Sequence, residues 1–146
     1  MGKIISWHHL KQYLSFFDHI SFLYRKKEVD QIVKYLDLNL EISFSIQINI
    51  SREPQKSGLL IEELDAFYLY AKERGLTINS IMAIPMKNAS TKDNMKELIG
   101  IKSKYDLSYI SYGMSDDYLD ALKYGSDQVR IGSKIFGKMT WYVCYY

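Results

Sequence analysis

The sequence predicts an α/β protein built on a parallel sheet, and three observations predict it. Short apolar runs rich in Ile, Phe and Tyr alternate along the chain with stretches of helical periodicity. The helical stretches are long enough, at roughly 10 to 15 residues, to carry the crossover that joins two parallel strands. Polar and turn-forming residues gather where the apolar runs end: Asn49 and Ser51, Pro85, Gly113 to Ser115, and Arg130 to Ser133. Active residues of parallel α/β proteins sit at those strand ends. A doubly wound sheet and a segment of a barrel wall both fit this order.

Lys3 to Trp7 is a short apolar beginning. His19 to Tyr24 reads as the first strand. Lys26 to about Leu36 reads as a helix, because Val29, Ile32, Val33 and Leu36 fall on one face. Leu40 to Ile50 is the clearest strand, with Ile46, Ile48 and Ile50 alternating with Ser45, Gln47 and Asn49. Its polar face fits two descriptions, a strand end lining a site or an antiparallel strand half exposed to water. Ser51 to Gly58 is a polar loop containing Pro54. A helix over Ile61 to Arg74 follows, stopped by Gly75, with Leu64, Phe67, Leu69 and Ala71 as its apolar positions.

Thr77 to Pro85 is a strand apolar on both faces, and Asn88 to Ser90 is a turn that offers an N-cap. The helix from Thr91 to Lys104 turns Met95, Leu98 and Ile99 inward. Leu107 to Tyr112 is a strand that runs into Gly113-Met114-Ser115, with Ser115 as N-cap of a helix ending near Gly125, and Asp116 and Asp117 in its first turn. Gln128 to Ile131 is the last strand. Gly132-Ser133 opens a short helix, and Lys138 to Tyr146 is an apolar, aromatic tail.

Composition excludes several classes. The chain has 146 residues, enough for one domain with a core. A net charge of +2, with Arg25-Lys26-Lys27 as the one basic cluster, gives no nucleic-acid footprint. The lone cysteine, Cys144, rules out an internal disulfide framework and points to a reducing compartment. No apolar run approaches the ~20 residues that span a membrane, and no signal peptide is visible. A cytoplasmic protein with neither membrane nor nucleic-acid partners is expected. The adjacent His8 and His9 diverge on a strand, so no metal site is expected from them and His19.

The stretch Ser111 to Gly137 carries the chemistry. Two strands in it each run into a Gly and a Ser that open helix-like segments, and such turns offer free backbone N–H groups to an anion such as phosphate. Within it, Ser111, Gly113-Met114-Ser115, Asp117, Ala121, Gly125-Ser126, Val129-Arg130-Ile131-Gly132 and Ile135-Phe136-Gly137 match in residue and spacing the late motif of the pyridoxal phosphate homeostasis proteins (YggS/PROSC type). These are relatives of the N-terminal barrel of alanine racemases. Ile46 to Ile50, Lys56-Ser57-Gly58 and Ile81 to Pro85 resemble earlier segments of the same family, and Trp7-His8 echoes another. The resemblance covers residues 18–137; residues 1–17 diverge and 138–146 form the tail.

The resemblance implies a partial TIM-type (β/α) barrel within a single incomplete domain, its five strands equivalent to strands 4 to 8 of the full barrel. It implies pyridoxal 5′-phosphate as cofactor. Ser115, Gly132 and Ser133 would hold the phosphate, Met114 would lie beside it, Arg130 would face the pyridine nitrogen, and Met82 would pack near the ring. The family's first strand, with the lysine that forms the Schiff base, and its Gly-Glu-Asn element have no match here. The resemblance thus describes a chain truncated at its N-terminus, binding the cofactor in vitamin B6 homeostasis without covalent attachment or catalysis. Three other readings accompany it: a racemase-class enzyme, an interaction fragment that self-associates or pairs with a separate N-terminal half, and a non-functional gene fragment.

Overall fold

A computed structural model describes residues 10–36, 41–84 and 89–137. The expectations for Lys3 to Trp7, Trp7-His8, Pro85, Asn88 and the tail from Lys138 lie outside the described residues. Five strands, β1 (His19–Leu23), β2 (Ser43–Ile48), β3 (Thr77–Ala83), β4 (Tyr109–Met114) and β5 (Gln128–Arg130), form one sheet. Every neighbouring pair is parallel, and the spatial order is β1-β2-β3-β4-β5. A doubly wound sheet reverses its strand order at a switch point, whereas the wall of a barrel keeps sequence order. The sheet is therefore a curled half-barrel.

Helices α1 (Leu10–Phe16), α2 (Lys26–Val33), α3 (Leu64–Glu73), α4 (Thr91–Lys104), α5 (Tyr118–Lys123) and α6 (Ser133–Phe136) precede or follow the strands. α1 has no counterpart among the elements expected from sequence, although Leu10 and Leu14, four residues apart, are its buried positions. α2 is started by Glu28, whose carboxylate accepts from the N–H groups of Tyr24 and Arg25, both at 2.9 Å. Ser90 caps α4 by accepting from Asp93 N–H at 3.2 Å. Gly75 and Gly125, with φ of +84° and +101°, stop α3 and α5 as expected.

The ladder registers divide the strand residues into two faces. Phe44, Ile46, Ile48, Ile81, Ala83, Ile110 and Tyr112 belong to one face and join Leu64, Phe67, Ala71, Met95 and Leu98 of the helices in the main core. At roughly 25 cal/mol per Å² of apolar surface removed from water, this layer is the main source of stability. Two expected core positions differ. Ile99 is 43% exposed and Ile101 is buried in its place; Leu69 is 58% exposed. The inward stripe of α4 is Met95, Leu98 and Ile101, which follows a three-residue step and leaves Ile99 off the face.

The other face is polar, and the two descriptions of β2 are now separable. β2 pairs in parallel on both sides, and Ser45, Gln47 and Asn49 are all buried. Gln47 and Asn49 anchor the following loop: Gln47 Nε2 donates to Ser57 O at 2.9 Å, and Asn49 Nδ2 donates to Glu53 O at 2.9 Å. The loop returns against the strand through Leu59, whose N–H donates to Gln47 O and whose carbonyl accepts from Asn49 N–H, each at 2.8 Å. Gly58 permits this close approach. Its φ is +128°, and a Cβ there would lie 2.6 Å from Asn49 N and 2.8 Å from Ile48 C.

Replacing Gly58 with Ala should destabilise the fold by about 2 to 3 kcal/mol, because backbone blocks the added methyl and the conformation disfavours it. Chemical denaturation measures this; a loss below about 0.5 kcal/mol would contradict the account.

Candidate phosphate-binding site at the ends of strands β4 and β5

The candidate site is assembled by the pairing of β4 with β5. Their ladder slips between Ser111 and Met114. A single buried hydroxyl bridges the slip. Ser126 Oγ accepts from Tyr112 N–H at 3.2 Å and lies 2.7 Å from Tyr112 O and 2.9 Å from Gln128 O. Asp127 adds a second tie, its carboxylate accepting from Ile110 N–H and from Lys102 Nζ, each at 2.8 Å.

Beyond the slip, β4 enters its turn through Gly113, at φ +110°. A Cβ there would meet Ala121 Cβ at 2.6 Å and Val129 Cγ1 at 3.2 Å, so only glycine lets α5 and β5 close on this point. The turn is held by Asp117, whose Oδ1 accepts from Met114 N–H at 2.7 Å and whose N–H donates to Met114 O at 3.1 Å. Asp117, not Ser115, is therefore the N-cap residue of α5, and this corrects the sequence expectation. The carboxylate reaches back three residues and keeps 115–117 out of the helix.

Ser115 is left free of capping and turns toward β5. It is buried, and its Oγ accepts from Gly132 N–H at 3.3 Å and from Lys134 N–H at 3.4 Å. The two N–H groups at the start of α6 thus converge on one oxygen. α5 and α6 have six and four residues, so few peptide dipoles align in either. What the turn offers is therefore individual donors more than the summed dipole of a helix end.

Arg130 reaches across the sheet from β5. Its Nη2 donates to Ala83 O at the end of β3, at 3.0 Å. Its Nε is buried and has no hydrogen-bond partner among the described residues. Burial pulls the guanidinium pKa below its ordinary value, but an arginine keeps its proton. The orphaned N–H is a donor in search of an acceptor, the condition that a ligand's ring nitrogen or oxygen would relieve.

Of the residues expected in the site, Ser115 and Gly132 meet directly, and Met114 is the register partner of Arg130. Met82 is buried on β3 next to Ala83, the residue that receives Arg130. Ser133 follows Gly132 and is exposed. Sequence reasoning missed Ser126, Asp117, the carbonyl of Ala83 and the N–H of Lys134. Ser126 was matched as a motif position without a role, Asp117 was placed in the first turn of the helix and not at its cap, and the two backbone groups carry no side-chain signal. Two surface hollows lie elsewhere, one lined by Lys92, Asp93, Lys96, Ile99 and Tyr124, the other including Tyr24, Lys26, Leu59 and Phe67.

No family model matches the chain. Among curated proteins, the pyridoxal phosphate homeostasis protein of Escherichia coli K12 is 38% identical over 101 residues, which is 63% of this chain and 43% of the relative. That of Haemophilus influenzae is 32% identical over 133 residues, 83% of this chain and 56% of the relative. The chain is a homologue of the pyridoxal phosphate homeostasis proteins. It spans about half the length of the curated homeostasis proteins that it matches. The solved structure of PipY from Synechococcus elongatus, without PLP, superposes with a TM-score of 0.77 over 94% of this chain and 69% of that one, at 19% identity. PipY has also been solved with PLP bound. Alanine racemase from Bacillus anthracis superposes with a TM-score of 0.61 over 82% of this chain and 34% of that one, at 15% identity. Both share the fold, the half-barrel inferred from strand order.

Substituting Ser126 by Ala should cost about 1 to 3 kcal/mol, since it strips a buried N–H of its acceptor. It should also speed amide exchange in β5 selectively. Unchanged exchange in β5 would show that the hydroxyl does not hold this pairing.

Proposed function

We propose that the ends of β4 and β5 bind pyridoxal 5′-phosphate and that the chain serves vitamin B6 homeostasis, as its relatives' name describes. The single observation that carries the reading is the orphaned, buried Arg130 Nε–H, standing beside the turns where Ser115 gathers the N–H groups of Gly132 and Lys134. Homology to the homeostasis proteins supplies the identity of the ligand.

The phosphate would take the N–H groups of Gly132 and Lys134, with the hydroxyls of Ser115 and Ser133 as further donors. Ser115 would exchange its role of acceptor for that of donor, by rotation of one hydroxyl. Arg130, which keeps its proton, would donate to the pyridine nitrogen and leave that nitrogen unprotonated. Met82 and Met114 would supply apolar contact to the ring. When bound, the cofactor supplies an aldehyde that condenses with amines and a ring that accepts electron density. An unprotonated ring accepts less, which suits a carrier better than a broad carbanion catalyst. Asp117 sits in the same turn and orders it through Oδ1, which accepts from Met114 N–H, while its Oδ2 is buried without a hydrogen-bond partner among the described residues.

The matched motif contains no lysine in the role of covalent anchor, so we infer non-covalent binding and no catalysis by these residues. A second feature favours association with another chain or segment. Within the described residues β1 and β5 are the sheet's edges. Ile135 and Phe136, just beyond β5, are 67% and 85% exposed. An open strand edge flanked by apolar side chains is a liability unless covered.

Equilibrium dialysis of the 146-residue chain should show saturable binding of pyridoxal 5′-phosphate, with pyridoxal at least about tenfold weaker because it lacks the charged group. Arg130→Gln should weaken binding by about tenfold. Equal affinity for the two vitamers would sink the phosphate site. A stoichiometric lysine adduct after borohydride would overturn the non-covalent reading alone. Sizing chromatography should show a species larger than the monomer; a cooperatively unfolding monomer would remove the association reading.

A further inference from the structure

The concave face of the sheet carries a second cluster, at the opposite ends of the strands from Arg130. His19, at the start of β1, has both ring nitrogens engaged: Nδ1 is 2.7 Å from Ser43 Oγ and Nε2 is 2.8 Å from Ser45 Oγ. Ser45 Oγ is 2.6 Å from Ser80 Oγ, and Ser80 donates to Asn79 Oδ1 at 2.9 Å. On the other side Ser43 donates to Asp18 O at 3.3 Å. Ser45 and Ser80 are fully buried, so water does not complete the chain at these points.

These hydrogen bonds number five, and each needs one proton. The three hydroxyls supply one each, and a neutral imidazole supplies one more. The neutral ring therefore leaves one bond without a proton, whichever tautomer is present. The imidazolium closes the deficit. Its two N–H groups donate to Ser43 and Ser45. Ser43 then donates to Asp18 O, Ser45 to Ser80, and Ser80 to Asn79 Oδ1. Both branches end on oxygens that only accept. Flipping the ring exchanges the nitrogens but not the count, which holds with Asn79 Oδ1 turned toward Ser80 as it stands in the structure.

We propose that His19 is a proton-binding centre of the half-barrel and that its charged form is the one the serine network completes. The proposal stands on this cluster alone and is independent of the cofactor site. Among the described residues, the groups facing the ring are Ser43 and Ser45 from β2 and the Tyr109 ring of β4, with centroids 5.5 Å apart, and Ser80 and Asn79 of β3 lie behind Ser45. Asp18 precedes His19 in the chain and contributes its carbonyl through Ser43. Burial works against the charge and pulls the His19 pKa below its ordinary value. Its sign for stability follows. Above the ordinary histidine range both folded and unfolded chains are neutral at this site. Below that range the unfolded chain takes the proton more readily, so stability falls as the pH drops toward the folded pKa. The network limits how far that pKa falls.

The test is an NMR titration of the His19 ring in the 146-residue chain, assigned with His19→Gln, and repeated in Ser80→Ala and Ser43→Ala. Each serine variant removes two hydrogen bonds and one proton, so the neutral ring then satisfies every bond that remains. The proton affinity of His19 should fall about fivefold in each, the size of one net hydrogen bond. Burial is common to all three proteins, so the difference isolates the network. A midpoint unchanged or raised in the variants would overturn the proposal. Should the variants not fold, the wild-type ring nitrogens decide. Two bound protons at low pH in the folded protein support the proposal. A ring neutral down to acid unfolding overturns it.

Discussion

The candidate site depends on one constraint: β4 and β5 must stay side by side through a slip in their ladder. Backbone pairing alone does not achieve this, because the partners shift between Ser111–Gln128 and Met114–Arg130. The hydroxyl of Ser126 supplies the missing tie, and Gly113 lets α5 and Val129 close against the same point. With that geometry fixed, the rest follows. Met114 is paired with Arg130, Arg130 is carried to Ala83 on β3, and Gly132 arrives beneath Ser115. Ser115, Gly132 and Arg130 are thus brought to one end of the sheet by packing and pairing in which their own polar groups take no part.

Much of this was legible in the sequence, in a particular sense. The apolar runs located the strands because a parallel sheet covered by helices needs Ile46, Ile48 and Ile81 on its inner layer. The glycines that stop α3 and α5 marked those ends through their positive φ. The motif residues of the last third gathered Ser115, Gly132 and Arg130. What was not legible was long-range. Strand order, which separates a barrel wall from a doubly wound sheet, leaves no trace in periodicity. Asp117 became the N-cap residue of α5 without a side-chain bond into the helix, its carboxylate accepting instead from Met114 N–H, and on local preference Ser115 and Asp117 contest that position equally. Gln47 and Asn49 looked like site-lining residues, but their partners lie 10 and 4 residues ahead in the loop they anchor.

The polar face of the sheet ties these observations together. Barrel interiors are usually filled by bulky branched residues in layers. Here Ser45, Gln47, Ser80 and Ser111 occupy that side and are buried. Burying so many polar groups is costly unless each is bonded. The chain meets the cost in two ways. Gln47 spends its amide on a loop carbonyl at the carboxyl end of the strands. At the amino end, His19 and three serines bond one another. The face is therefore divided, with a network below whose side chains bond one another and an unpartnered guanidinium N–H above.

That division explains why the unpaired donor stands at the upper end. Ser45 and Ser80 find partners among the sheet's own side chains, and Arg130 Nε does not. Arg130 has one partner, Ala83 O, and its Nε is turned where no described acceptor reaches it. Leaving such a group buried costs about 1 to 3 kcal/mol. The expense is consistent with a site shaped for a ligand that supplies the acceptor, because binding then recovers free energy that the fold gives up. The same reasoning sets Ser115 apart from the lower serines. Its bonds to Gly132 and Lys134, at 3.3 and 3.4 Å, are long, while those among His19, Ser43, Ser45 and Ser80 run from 2.6 to 2.8 Å. The one bond of similar length in the lower cluster, from Ser43 to Asp18 O at 3.3 Å, lies at its exposed end.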